Sequence, residues 1–182
     1  MKRGDALLVV DVFDDFRHED ASSLLASFRE RAGGMAEALT VARAADVPVI
    51  YVNDERDRWD SDAPSLVREA AEGPGHDVVR RLLPQAGDRV LLKHRYSAFD
   101  HTALDLLLES LRVERVLLAG AATEGCVVQT ALDAREHGLK ATILVDACAT
   151  TDSELEETAL RYAEEVGGIR VSRGCVAEET SG

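Results

Sequence analysis

The sequence predicts an α/β fold in which a parallel sheet of six strands is sandwiched between two layers of helices. Three observations predict it. Short runs such as ALLVV, VPVIYV and RVLLAG are apolar at nearly every position, as suits strands covered on both faces. These runs alternate with longer amphipathic segments, the pattern of strand–helix–strand crossovers. The chain has 182 residues, 46% of them hydrophobic, enough for one domain (residues 1–182) with a substantial core.

Taken in order, strands are expected at residues 6–10, 47–52, 89–93, 115–120, 140–145 and 169–171. Helices are expected at 22–45, 63–72, 101–111, 124–137 and 153–166, where apolar residues recur every three or four positions. Residues 53–88 are the least regular stretch, with Pro64, Pro74 and Pro84 among dense charges, and read as an excursion over the carboxyl edge of the sheet carrying short helices. No repeat or linker is evident, and the terminal EETSG is expected to fray.

Composition narrows the function. Thirty-four acidic residues stand against 21 basic ones, a formal net charge of −13, and such a field repels phosphate backbones and anionic lipid. Nucleic acid and membrane surfaces are therefore not expected partners. No apolar run approaches the roughly 20 residues of a spanning helix, and the start carries no leader pattern. A cytoplasmic location is expected. Cys126, Cys148 and Cys175 are odd in number and lack metal-type spacing, so free thiols and no metal or cofactor are expected.

Open parallel sheets bind ligands beyond the carboxyl ends of their strands. The residues there are Asp11 after the first strand, Asn53 and Asp54 after the second, Lys93 at the end of the third, GAATEGC after the fourth and Asp146 after the fifth. An acid, a lysine and a cysteine thus converge on one edge. A thiol attacks as its thiolate, which a helix N-terminus or a cation stabilises. With Thr123 as N-cap, Cys126 falls in the first helical turn and its pKa is expected to drop. Asp11 can take the thiol proton and return it to a leaving amine, while Lys93 holds the anions. Alone, each of these residues would more often be a cap, a turn former or a packed thiol; their order and context make the constellation.

The ordered set VVDVFDDF, LLKHRYSAF, LLAGAATEGCVVQTALDA and LVDACAT resembles the isochorismatase-like cysteine hydrolases, which include nicotinamidases, N-carbamoylsarcosine amidases and ureidoacrylate hydrolases. The likeness runs from about residue 5 to residue 166. It implies a Rossmann-like sheet of order 3-2-1-4-5-6 and a triad of Asp11, Lys93 and Cys126. It also implies a non-prolyl cis peptide at Ala121–Ala122, and an oxyanion hole from the backbone N–H groups of Ala122 and Cys126. In that order Lys93 must reach across an intervening strand. Homo-oligomers, dimers or tetramers, are common in the family.

Departures from the family pattern sharpen the expectation. Phe13-Asp14 stands where Gln-Asn is frequent, implying a different pocket floor. The segment YVNDERDRW lacks the histidines with which nicotinamidases bind a metal, so that activity is not expected. The intact Cys126 points to hydrolysis of an amide or ureido C–N bond in a small molecule. The alternatives are vinyl ether hydrolysis, which needs no thiol, and a catalytically silent oligomeric binder. Phe16, Trp59, Tyr96 and Phe99 are candidates for the pocket wall, where aromatic faces can stack on a planar substrate, and Asn53 and Asp54 are candidates to orient its polar groups.

Overall fold

The computed structural model describes residues 1–55 and 59–173. Its elements are β1 (Asp5–Val10), α1 (Ala21–Ala44), β2 (Val49–Asp54), α2 (Ala63–Glu72), α3 (His76–Val79), β3 (Arg89–Lys93), α4 (Leu104–Ser110), β4 (Arg115–Gly120), α5 (Val128–Glu136), β5 (Lys140–Cys148), α6 (Ser153–Glu165) and β6 (Arg170–Ser172). Between β4 and α5, residues Thr123–Val127 form one wide π-type turn, called here the cysteine turn.

All strand pairs are parallel, in the order β3-β2-β1-β4-β5-β6. Every residue of β1 is buried, as its uninterrupted apolar run requires of a central strand covered on both faces. Alternate β1 side chains feed two cores. Leu7 and Val9 pack with Phe28, Met35 and Leu39 of α1 and with Leu66 and Val79 of α2 and α3. Leu8 and Val10 pack with Leu104, Leu108, Ala131 and Leu160 of α4, α5 and α6.

The helices form where side chains can satisfy their ends. The Asp62 carboxylate accepts from the Ser65 N–H, with Pro64 in the first turn of α2, and Asp152 accepts from Glu154 and Leu155 at the start of α6. The long α1 buries Leu24, Phe28, Met35 and Leu39 on one stripe and stops before Asp46, whose φ of 52° and following Val47-Pro48 cannot continue a helix.

Three expectations differ from what is observed. The 53–88 excursion does not simply cap the carboxyl edge: Leu66, Ala70, Val78 and Leu82 join α1 over one face of the sheet, because they offer apolar stripes that need burial. The fourth helix is shorter than 101–111, since Thr102 and Ser97 turn the backbone before Leu104 through side-chain bonds to Leu104 N and Phe99 N. β5 is longer than 140–145, running to Cys148 through a register shift opposite Leu118 and Gly120, which leaves Asp146 exposed. Among the described residues, no helix is long and apolar enough to cross a membrane.

Candidate active site

Three strand ends bring the site together. Asp11 follows β1 directly, with φ of 49°, a left-handed conformation that aspartate tolerates better than most residues. Its N–H donates to Val52 O at 3.1 Å, which fixes it against β2. Lys93 ends β3, and the cysteine turn follows β4.

The sheet order sets Lys93 two strands from Asp11, roughly 9 to 10 Å at ordinary strand spacing. The lysine spans the gap over the end of β2, and its Nζ lies 2.8 Å from Asp11 Oδ2. The same Nζ donates to Arg95 O at 2.8 Å and to Cys126 Sγ at 3.5 Å. An ammonium has three N–H donors, and all three are thereby committed. Lys93 is only 1% exposed, and burial of a charge so deep requires compensation of this kind. Asp11 is held as closely: Oδ1 accepts from Asp54 N–H at 2.6 Å, and the Cys126 thiol is a further side-chain partner.

These contacts set the proton affinities. Burial pushes the Asp11 carboxyl above its ordinary range, against the opposing pull of Lys93. Burial alone would depress Lys93, but the anionic groups around it, the Asp11 carboxylate foremost, outweigh it and raise its pKa, so it stays an ammonium. Cys126 differs from the sequence expectation. Burial and the adjacent Asp11 anion push its thiol up to about 12, with Lys93 only partly offsetting them. The resting sulfur is a thiol with a base in contact, not a standing thiolate.

The cysteine turn also departs from the expected cap. Thr123 is fully buried, and its hydroxyl faces Ala149 O at 3.0 Å and Glu156 Oε1 at 2.8 Å instead of capping its own helix. Glu156 is paired with Arg31 at 3.0 Å, and Arg31 donates to Val145 O and Cys148 O. Glu124 accepts from Thr150 Oγ1 and from Thr151 N. These bonds tie the turn to α1, α6 and the end of β5. The Ala121–Ala122 peptide that opens the turn is cis. Just before it, Gly120 has φ of 122°, and a Cβ there would lie 1.9 Å from Val10 O, so only glycine lets β4 end against β1 at this point.

A cavity of about 420 Å³ opens over the triad, with Asp11, Ala121, Ala122 and Cys126 in its lining. That volume suits a small molecule. Phe13, Leu24, Asn53, Asp54 and Tyr96 also line it, with Asp14, His18, Asp20, Glu124, Gly125 and Thr151. Of the candidate wall residues, Asn53, Asp54 and Tyr96 are brought to the cavity. Asn53 is buried and clamps the Phe13 backbone at both N–H and C=O, so its role is to hold the floor. Phe16 is not brought there: it is buried edge-on against Phe28, because Gly75 leaves room for its ring in the α1 core. Phe99 is buried in the other core, stacked on His137. Trp59 is 81% exposed and stacks on His94 at 4.3 Å, outside the cavity lining.

Reasoning from strand ends missed Leu24, His18 and Asp20, which come from the 14–20 loop and the first turn of α1. The density of charge in DDFRHED was the available signal. Among the described residues, no three His, Cys, Asp or Glu side chains gather in a metal-binding group. Cys148 is buried, with its thiol pushed up by burial, and Cys175 lies outside the described residues.

Comparison with known proteins agrees with the fold. Residues 5–173 match the model of the Isochorismatase domain. The chain belongs to the isochorismatase family. It is 31% identical over 165 residues to the uncharacterized isochorismatase family protein YaaI of Bacillus subtilis, covering 91% of each chain. It is 32% identical over 159 residues to the maleamate amidohydrolase of Pseudomonas putida, covering 80% of this chain and 72% of that one. The crystal structure of N-carbamoylsarcosine amidase from Thermoplasma acidophilum superposes with a TM-score of 0.72 at 29% identity, over 98% of this chain and 99% of the other. This isochorismatase-family chain therefore shares its whole architecture with an amidase.

Proposed function

We propose that this single-domain protein is a cysteine hydrolase that cleaves an amide or ureido C–N bond in a small molecule, with Cys126 as nucleophile, Asp11 as base and acid, and Lys93 as the charge that holds both. The observation that carries the reading is the Lys93 ammonium, in contact with both Asp11 Oδ2 and Cys126 Sγ beneath the cavity. Amide and carbamoyl C–N hydrolysis in the named relatives supports the bond type.

Because the resting thiol is protonated, the first step couples proton transfer to attack. The Cys126 proton passes to Asp11 as sulfur bonds to the substrate carbonyl carbon, and the C=O electron pair moves onto oxygen. The N–H groups of Ala122 and Cys126 receive that oxyanion, a contribution of about 3 to 4 kcal/mol per donor in comparable sites. Asp11, its proton affinity raised by burial, is a stronger base than a surface carboxylate and a competent acid afterwards. It returns the proton to the departing nitrogen as the C–N bond breaks, leaving a thioester. Water then gives its proton to Asp11 and attacks the thioester, releasing the acid and restoring the thiol. The amidase reading carries with it a cytoplasmic location and a homo-oligomer of two or four copies.

The test is release of ammonia from a panel of primary amides and ureides by the protein and by Cys126→Ala. Turnover that the substitution abolishes, with the melting temperature retained, supports the reading. Release of pyruvate from isochorismate by Cys126→Ala at the native rate would replace it with vinyl ether hydrolysis.

A further inference from the structure

The strand ladder registers Asp11 against Cys126, but it does not register Lys93. Asp11 follows β1 and Cys126 follows β4, and these strands are hydrogen-bonded neighbours from Asp5–Arg115 to Val10–Gly120. Lys93 ends β3, which pairs with β2 at the edge of the sheet. The contact of its Nζ with Cys126 Sγ at 3.5 Å therefore needs a fastening between the chain after Lys93 and the cysteine turn.

Residues 94–99 cross that gap. Arg95 O accepts from Lys93 Nζ at 2.8 Å, Tyr96 lines the cavity, and Ala98 and Phe99 then turn inward to join the core that holds Val127, Val128 and Ala131. Apolar packing brings the loop to α5, but it is non-directional and does not fix a separation sharply. The Thr130 hydroxyl is directional. It accepts from the Ala98 N–H at 3.0 Å and donates to Cys126 O at 2.6 Å. Thr130 and Ala98 are both fully buried, so water does not compete for these bonds. The Ala98 C=O is held in turn by the Thr102 hydroxyl at 2.6 Å.

A threonine that bonds back to the carbonyl four residues earlier is ordinary in helices and by itself means little. Two features set Thr130 apart. The carbonyl belongs to Cys126 itself, where the wide turn, with Val127 N–H reaching Ala122 O, narrows into α5. The other side of the hydroxyl is taken by a segment 32 residues away, the one that follows Lys93. One oxygen thus joins the lysine's loop to the cysteine's peptide.

We propose that Thr130 is a positioning residue for acylation: its hydroxyl locks the 94–99 loop onto the helix that follows Cys126 and so sets the distance from the Lys93 ammonium to sulfur. This rests on the reading of Cys126 as the nucleophile.

The test is the rate of iodoacetamide alkylation of Cys126, followed by peptide mass spectrometry at a fixed pH below the thiol's pKa, where the rate follows the thiolate fraction. Thr130→Val keeps the branched shape but leaves the Ala98 N–H unpaired, so the loop withdraws and Lys93 with it. At an effective dielectric of ~20, a retreat of Nζ by about 1 Å from its 3.5 Å contact lowers the thiolate fraction about sixfold, and alkylation should slow by that factor. Thr130→Ser, which keeps the hydroxyl, should restore the native rate, and Gln129→Ala, on the exposed side of the same helix, should leave it unchanged. Melting curves of the variants should confirm folding. Loosened packing alone would uncover the thiol and speed alkylation, so a Thr130→Val rate at or above the native one would overturn the proposal, as would Thr130→Ser reacting as slowly as Thr130→Val. In the native protein the Ala98 amide should exchange hydrogen far more slowly than that of exposed Tyr96; equal rates would overturn the proposal whether or not the valine variant folds. None of these readings depends on turnover, so they stand apart from the loss of hydrolysis in Cys126→Ala that tests the nucleophile itself.

Discussion

Replacing Asp11 with Asn should make Cys126 more acidic and the enzyme inactive at once. Asn keeps an oxygen to accept the Asp54 N–H and tolerates the left-handed backbone at this position, so the fold is expected to hold. What it removes is the negative charge in contact with sulfur. Lys93 Nζ lies 3.5 Å from Sγ. At an effective dielectric of ~20, unit charges at that separation attract by about 4.7 kcal/mol, equivalent to roughly 3.5 pKa units. In the native site burial and the Asp11 anion, in contact with sulfur, together outweigh that attraction, which is why the thiol stands at about 12. Without Asp11 the Lys93 field acts unopposed, and the thiol pKa should fall by roughly 2 to 3 units. The assay is the pH dependence of iodoacetamide alkylation, with mass spectrometry of the Cys126 peptide. At the same time turnover should drop by about 10² to 10⁴, the usual contribution of a general base. A Cys126 pKa that is unchanged or higher in Asp11→Asn would refute the reasoning that Asp11 is the anion holding the thiol protonated.

Other predictions follow from the same contacts. Activity needs Asp11 ionised, so kcat/KM should fall as pH drops through a carboxyl pKa that burial has raised; an acid limb at or below about 4, the ordinary aspartate value, would contradict this. Lys93→Met should abolish turnover at an unchanged fold, and intact hydrolysis in that variant would remove the lysine from the mechanism. Arg31→Ala strands the buried Glu156 without its cation and should cost about 3 to 5 kcal/mol in denaturant unfolding. Gly120→Ala should yield insoluble or inactive protein, since its Cβ would collide with Val10 O; a soluble, fully active variant would show that β4 can shift there freely.

How much of this was legible in the sequence depended on which forces act locally. The strands were plain because β1, β2 and β4 are buried on both faces and must be apolar throughout. Asp11, Lys93 and the cysteine turn could be placed on one edge because residues ending parallel strands share that edge. What resisted were features set by partners distant in sequence. Thr123 looked like a cap because its hydroxyl suits one, but the buried Glu156, 33 residues away, gives it a stronger partner. Phe16 and Phe99 sat next to site residues in the chain, yet an aromatic ring in a loop goes wherever apolar surface can cover it, here against Phe28 and His137. The thiol pKa was misjudged for a related reason: the helix position was visible in the sequence, whereas partial burial beside an anion was not.

The central claim is that Cys126 becomes acylated during turnover. Rapid acid quench during hydrolysis of a slow amide substrate, followed by intact and peptide mass spectrometry, measures this directly. The account predicts an adduct of the acyl group's mass on the Cys126 peptide, absent in Cys126→Ala and in Asp11→Asn. Steady turnover with no adduct in the native protein, accompanied by undiminished hydrolysis in Cys126→Ala, would contradict it.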